Sequence, residues 1–202
     1  MVQWPGRLDW DAQAAYSVRD ANLENSRGLQ QWYQINRADS LAALKGSVEQ
    51  LQGIPWVNTL AVDEGGRALY LNQSVVPYVD QQLLDTCSNP QAQGRLVVLD
   101  GSRSACQWKV DAQAAQPGIF PARLLPSLER EDFVQNSNDP AWMANPAQPL
   151  TGYSPLVSRN DQPLGMRGRF ALQRLQGKAR LGVDEPVSYT HLRAHETPEH
   201  LV

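Results

Sequence analysis

Residues 56–72 constrain this chain more than any other stretch. Trp56-Val57-Asn58-Thr59-Leu60-Ala61-Val62 is rich in β-branched, aromatic and aliphatic residues, and Arg67-Ala68-Leu69-Tyr70-Leu71-Asn72 is a second such run. Between them stands Asp63-Glu64-Gly65-Gly66, which supplies glycine where a tight reversal needs a positive φ. The segment is predicted to be an antiparallel hairpin, and Pro77 ends the run that follows it.

Around this hairpin the periodicity changes. Alternation in Ala15-Tyr16-Ser17-Val18-Arg19 predicts a short strand. Asn25-Ser26 offers an N-cap for a helix carrying Leu29, Trp32, Tyr33 and Ile35. Ser40 caps a second helix, whose Leu41, Leu44, Val48 and Leu51 keep helical spacing, with Gly53 as its stop. Residues 80–130 read mostly as connections with a few short elements. Phe133-Val134-Gln135-Asn136 predicts a short strand before the turn Asn138-Asp139-Pro140. Residues 140–162 are rich in Pro and Gly. Pro163 then opens a helix bearing Met166, Phe170, Ala171 and Leu175, closed by Gly177. No repeat and no interdomain linker interrupts the pattern.

Composition narrows the function classes. The 202 residues include 42% hydrophobic and 19% charged, enough for one domain with a real core rather than a disordered chain. A net charge of −3 argues against nucleic acid and anionic membrane as partners. No apolar run reaches the roughly 18 residues of a membrane span, and the start has neither the basic nor the apolar region of a signal peptide. Fourteen prolines, fourteen glycines and six tryptophans suit a β-containing enzyme body better than a helix bundle.

All three histidines, His191, His195 and His200, lie in the last sixteen residues. His191 and His195 carry the four-residue spacing of a helical zinc site. The surrounding run Val187-Ser188-Tyr189-Thr190-His191-Leu192-Arg193-Ala194-His195-Glu196-Thr197 looks like a translated sequencing adapter instead. Residues 187–202 are therefore expected to be a non-native, disordered tail and residues 1–186 the native unit. Without the tail the chain has no histidine, so neither a Ser-His-Asp nor a Cys-His site can be built from it alone.

Six strings, in order and at consistent spacing, resemble the β-subunit of penicillin-acylase-type amidases of the acyl-homoserine lactone acylase kind. They are Trp4-Pro5-Gly6-Arg7-Leu8-Asp9-Trp10, Arg19-Asp20-Ala21-Asn22-Leu23-Glu24-Asn25, Leu29-Gln30-Gln31-Trp32-Tyr33, Gly53-Ile54-Pro55-Trp56-Val57-Asn58-Thr59-Leu60-Ala61, Asn72-Gln73-Ser74-Val75-Val76-Pro77-Tyr78 and Phe133-Val134-Gln135-Asn136-Ser137-Asn138-Asp139. The resemblance covers about residues 4–182 and implies an internal piece of that subunit. The implied fold is α+β: part of the αββα sandwich of N-terminal-nucleophile hydrolases, incomplete and with long loops. In that family a precursor cuts itself to expose a serine, whose own α-amine acts as base while its hydroxyl attacks an amide carbonyl. The serine is expected upstream of residue 1, so this polypeptide alone is expected to be inactive.

Carried across residue by residue, the resemblance assigns four positions. Asn138 matches the asparagine whose side-chain NH₂ donates to the tetrahedral oxyanion, although Asn-Asp-Pro is also ordinary turn chemistry. Trp32 and Trp56 match walls of the apolar acyl pocket, where indole supplies area with few rotors to freeze; core packing is the competing role. Arg167 matches an arginine expected to orient Asn138 or nearby backbone; a surface ion pair competes, with Arg169 and Arg174 close by.

The spacing of Cys87 and Cys106 leaves a disulfide and two separate buried thiols open. The exported character of the family implies the disulfide, in the periplasm for the parent enzyme. The resemblance implies no cofactor and no metal. Its implied partners are the α-subunit, the remainder of the β-subunit and a small-molecule acyl amide. Acyl-homoserine lactones lead, with fatty-acyl siderophore precursors next. A β-lactam acylase piece and a non-catalytic apolar-ligand-binding module are the alternatives.

Overall fold

The computed structural model describes residues 1, 3, 5, 6, 8–89, 97–160 and 162–178. The expected tail at 187–202, with its histidine pair, lies outside them. The described chain is α+β, with four α-helices, several 3₁₀ turns and one three-stranded antiparallel sheet.

Helix α1 (Gly28–Arg37) and helix α2 (Leu41–Leu51) form the first layer. The Ser40 Oγ accepts the Ala43 N–H at 3.2 Å, so α2 starts where its cap predicts. The start of α1 differs from expectation. Its N-cap is Arg27, without a side-chain cap. Asn25 is drawn off to Gly53, whose carbonyl accepts from its Nδ2 at 3.0 Å.

The end of α2 also differs. Gly53 does not take the left-handed position; Gln52 does, at φ 42° and ψ 46°. Its side chain is anchored at both ends. Nε2 donates to the Phe120 carbonyl at 2.8 Å, and Oε1 accepts from the Ala115 N–H at 3.0 Å. Those long-range bonds hold a backbone state that a non-glycine residue otherwise avoids. Gly53 is small for another reason: a Cβ there would stand 2.8 Å from the Arg27 carbonyl oxygen. The two helices close on each other at that point.

The hairpin forms with shorter strands than the sequence run suggests. Strand β1 (Thr59–Val62) pairs with β2 (Ala68–Leu71) in the register Thr59↔Leu71 to Val62↔Ala68. Gly66, at φ 85°, is the left-handed residue of the turn, and Asp63 closes it through the Arg67 N–H at 2.9 Å. Strand β3 (Ser127–Arg130), not foreseen individually, pairs with β2 and makes it the central strand. Leu69 and Leu71 point to α2, meeting Leu41, Val48 and Ile54. Tyr70 points the other way, to Leu128, Ala141, Ala144 and Leu150. Both faces of β2 are covered, so it is buried throughout; Leu69 and Leu71 each contribute about 1.5–3 kcal/mol.

A third cluster gathers Val79, Leu83, Cys87 and Cys106 around helix α3 (Gln81–Cys87), which Asp80 caps through the Leu83 N–H. Cys87 and Cys106 form a disulfide. Helix α4 (Met166–Leu175) has Gly165 as its N-cap instead of opening at Pro163, and it is followed by Gly177 at φ 80°.

Two expected strands do not form. Residues 15–19 make only an isolated bridge at Tyr16, and Val18 stays 74% exposed, so the alternation has no core to face. Residues 133–136 join no ladder. Their backbone groups go elsewhere: the Gln135 N–H to the Ala144 carbonyl, and the Phe133 carbonyl to Asn145 Nδ2.

Candidate functional site

The segment after β3 is held from several sides before it reaches Asn138. Arg130 grips Asp132 with two hydrogen bonds of 2.8 Å. That grip, with the Phe133 N–H and the Asn145 amide, holds the Asp132 carboxyl well below the usual carboxylate range. The buried Gln135 donates from Nε2 to the Met143 carbonyl at 2.7 Å. Residues 132–136 are thus fastened to the 3₁₀ turn at Ala141–Met143 and the residues that follow it.

Asn138 follows in the left-handed region, at φ 63°. The residue that makes this turn is Asn136. Its Oδ1 accepts the Asn138 N–H at 2.9 Å, and its Nδ2 donates to the Asp139 carbonyl at 2.8 Å. One side chain therefore spans the turn from both sides. The Asn138 side chain is left exposed, with no hydrogen bond among the described residues. Turn formation and a free amide do not compete here, because two different asparagines supply them.

Behind Asn136 lies a closed ring of hydrogen bonds. The Tyr70 hydroxyl donates to Asn58 Oδ1 at 2.8 Å, and Asn58 Nδ2 donates to Asn136 Oδ1 at 3.2 Å. Asn136 Nδ2 returns a longer bond of 3.4 Å to the Tyr70 oxygen. Only one orientation of the amides serves. A backbone N–H must meet Oδ1 of Asn136, and a carbonyl must meet its NH₂; the Asn58 amide then has to donate. Burial raises the Tyr70 pKa above its ordinary value, so its hydroxyl keeps the proton it donates.

Asp139 joins this turn to α4. Its Oδ1 accepts the Gly165 N–H at 3.0 Å. A Cβ on Gly168 would collide with Oδ2, so the helix admits the carboxylate only because residue 168 is glycine. Arg167 therefore sits on the first turn of a helix docked against the Asn138 turn. It is exposed and makes no hydrogen bond or ion pair among the described residues, with Asn138 or otherwise.

The two tryptophans are not core residues. Trp32 on α1 is 44% exposed, and Trp56 is 78% exposed. Trp56 stands two residues before Asn58, so the chain that carries it leads directly into the ring behind Asn138. No sequence pattern marks Asn58, Tyr70 or Asp139 as part of this site. Asn136 alone had a readable signal, since Asn at i and a turn residue at i+2 is an Asx-turn spacing.

These features stand beside a family match. The chain belongs to the penicillin amidase family, whose model matches residues 3–197. It is 98% identical over 185 residues to acyl-homoserine lactone acylase PvdQ of Pseudomonas putida, covering 92% of this chain and 24% of that protein. The acylase of the same name from Pseudomonas fluorescens is 66% identical over 175 residues, with 87% and 22% covered. Aculeacin-A acylase of Actinoplanes utahensis is 39% identical over 177 residues, with 85% and 22% covered. The chain spans about a quarter of the length of the curated relatives it matches.

Proposed function

We propose that this chain is a piece of an amidase that hydrolyses the amide bond of N-acyl-homoserine lactones, and that Asn138 is a donor of its oxyanion hole. The observation that carries the substrate class is the 98% identity to the Pseudomonas putida acylase over 185 residues. The exposed Asn138 amide, carried on a turn that another residue makes and without a hydrogen bond among the described residues, supports the site. As the carbonyl is attacked, charge gathers on its oxygen, and a pre-aimed amide N–H stabilises that charge without reorganising.

In this reading the rest of the enzyme supplies the N-terminal serine, its α-amine base and the second, backbone oxyanion donor. The sheet is part of the αββα sandwich, and the chain by itself does not turn over. Arg167 contributes positive charge beside the turn, and Trp32 and Trp56 face the acyl chain. Their exposure supports contact with something other than this chain's own core. The disulfide supports the periplasm as the compartment of the parent enzyme. Among the described residues no helix is long and apolar enough to cross a membrane. A related acyl amide remains a second reading, favoured by the similarity to the relative named for aculeacin A.

The test is Asn138→Gly in the full-length enzyme, which removes the amide but tolerates φ 63°. Hydrolysis of N-dodecanoyl-homoserine lactone should lose about 10²–10³ in kcat. Unchanged kcat would remove Asn138 from the chemistry.

A further inference from the structure

We propose that Asn136, held by Asn58 and Tyr70, is a positioning residue for the oxyanion donor; the inference rests on Asn138 being that donor. Asn138 is exposed, and its side chain makes no hydrogen bond among the described residues that would aim it. Its direction therefore follows from its backbone, and the backbone is set by the Asn136 amide through the Asn138 N–H and the Asp139 carbonyl. The Asn136 amide in turn cannot rotate freely. A flip would put NH₂ against an N–H and oxygen against a carbonyl, breaking bonds at both ends. Asn58 and Tyr70 then fill the remaining valences of the same amide.

The ring spans separate parts of the fold. Tyr70 comes from the central strand, buried on both sides, and Asn58 from the residue before β1. Asn136 comes from the loop after β3. The aim of Asn138 is thereby referred to the buried central strand of the sheet rather than to its own surface loop. Catalysis by a fixed dipole depends on such placement, since a misplacement of about 1 Å costs about 10²-fold in rate.

The proof is a double-mutant cycle in the full-length enzyme, again with N-dodecanoyl-homoserine lactone. Asn136→Ala should lower kcat by about 10- to 100-fold while KM stays within about threefold, because aim is lost and the acyl pocket is not. Adding Asn136→Ala to Asn138→Gly should lower kcat no further than Asn138→Gly alone, since there is no longer an amide to aim. Tyr70→Phe should act in the same direction with a smaller loss. Two results overturn the positioning role: kcat unchanged in Asn136→Ala while Asn138→Gly is impaired, or losses that multiply in the double variant. Unchanged kcat in Asn138→Gly is a different failure, which removes the oxyanion reading and this inference with it. If Asn136→Ala does not fold, Tyr70→Phe and its pairing with Asn138→Gly decide by the same criteria.

Discussion

The carboxylate of Asp139 occupies the place where a side chain on Gly168 would stand. Its Oδ1 meanwhile accepts the Gly165 N–H at 3.0 Å, which locks the Asn138 turn onto the start of α4. Loop and helix are joined by a fit that neither segment specifies alone.

Gly168→Ala tests that fit, because two effects oppose each other. Alanine in a helix interior is better than glycine by about 0.8–1.0 kcal/mol. Overpacking against a carboxylate already bonded at its other oxygen costs about 1–3 kcal/mol. The second should win, so the full-length variant should melt at lower temperature and lose kcat as the Asn138 turn shifts. A raised Tm with full activity would mean that Asp139 moves aside freely.

Gln52 gives an ordering that separates backbone strain from hydrogen bonding. Gln52→Ala removes both side-chain bonds, of which the one to the Phe120 carbonyl is buried, and keeps the left-handed strain; Gln52→Gly removes the bonds and relieves the strain. Each unpaired buried group costs about 1–3 kcal/mol, and the left-handed state costs a non-glycine residue about 1–2 kcal/mol. Chemical denaturation should rank the native protein first, Gln52→Gly second and Gln52→Ala last. Gln52→Gly as the most stable of the three would show that strain outweighs the two bonds.

The Cys87–Cys106 bridge closes a loop with a sequence separation of 19. Loop entropy alone assigns it about 3 kcal/mol. A Cys87→Ser/Cys106→Ser double variant should therefore denature at distinctly lower urea concentration. Its midpoint should not move with dithiothreitol, whereas reductant should lower that of the bridged protein. Identical midpoints with and without reductant would mean that the α3 cluster holds without the bridge.

Asp132 adds a pH dependence with a definite sign. Its folded pKa is depressed, first by the Arg130 hydrogen bonds. Its contribution is thus fully present above the unfolded value of about 3.9, and is lost as pH falls from there through the folded value. The stability gap between native protein and Asp132→Asn should be constant at neutral pH and shrink below about pH 4. A gap that does not narrow in acid would detach Asp132 from the acid response.

Much of the local structure was legible because it is made by neighbours. Ser40 and the residues Leu41, Leu44, Val48 and Leu51 announce α2, and Asp63 to Gly66 announces the turn between β1 and β2. Local pattern fails where distant groups take over. Gly53 has the character of a left-handed helix stop, yet Phe120 and Ala115 hold Gln52 in the left-handed conformation instead. Residues 133–136 have a strand's composition, yet Ala144 and Asn145 take backbone groups that a ladder would have used. The site shows the same division. Asn138 was reached through resemblance, whereas Asn58 and Tyr70 could be placed behind it only once the hairpin was folded against the loop.

The sequence by itself thus determined helix α2 with its local cap, the central hairpin and the family's candidate donor at Asn138. Period, cap and turn act over a few residues, and a motif carries its own order. Only the tertiary structure decided that β3 pairs with β2 and that Asn136 rather than Asn138 makes the turn. Each of those depends on which polar groups find partners once the chain is closed, and a hydrogen bond between residues 58 and 136 leaves no period in the sequence to read.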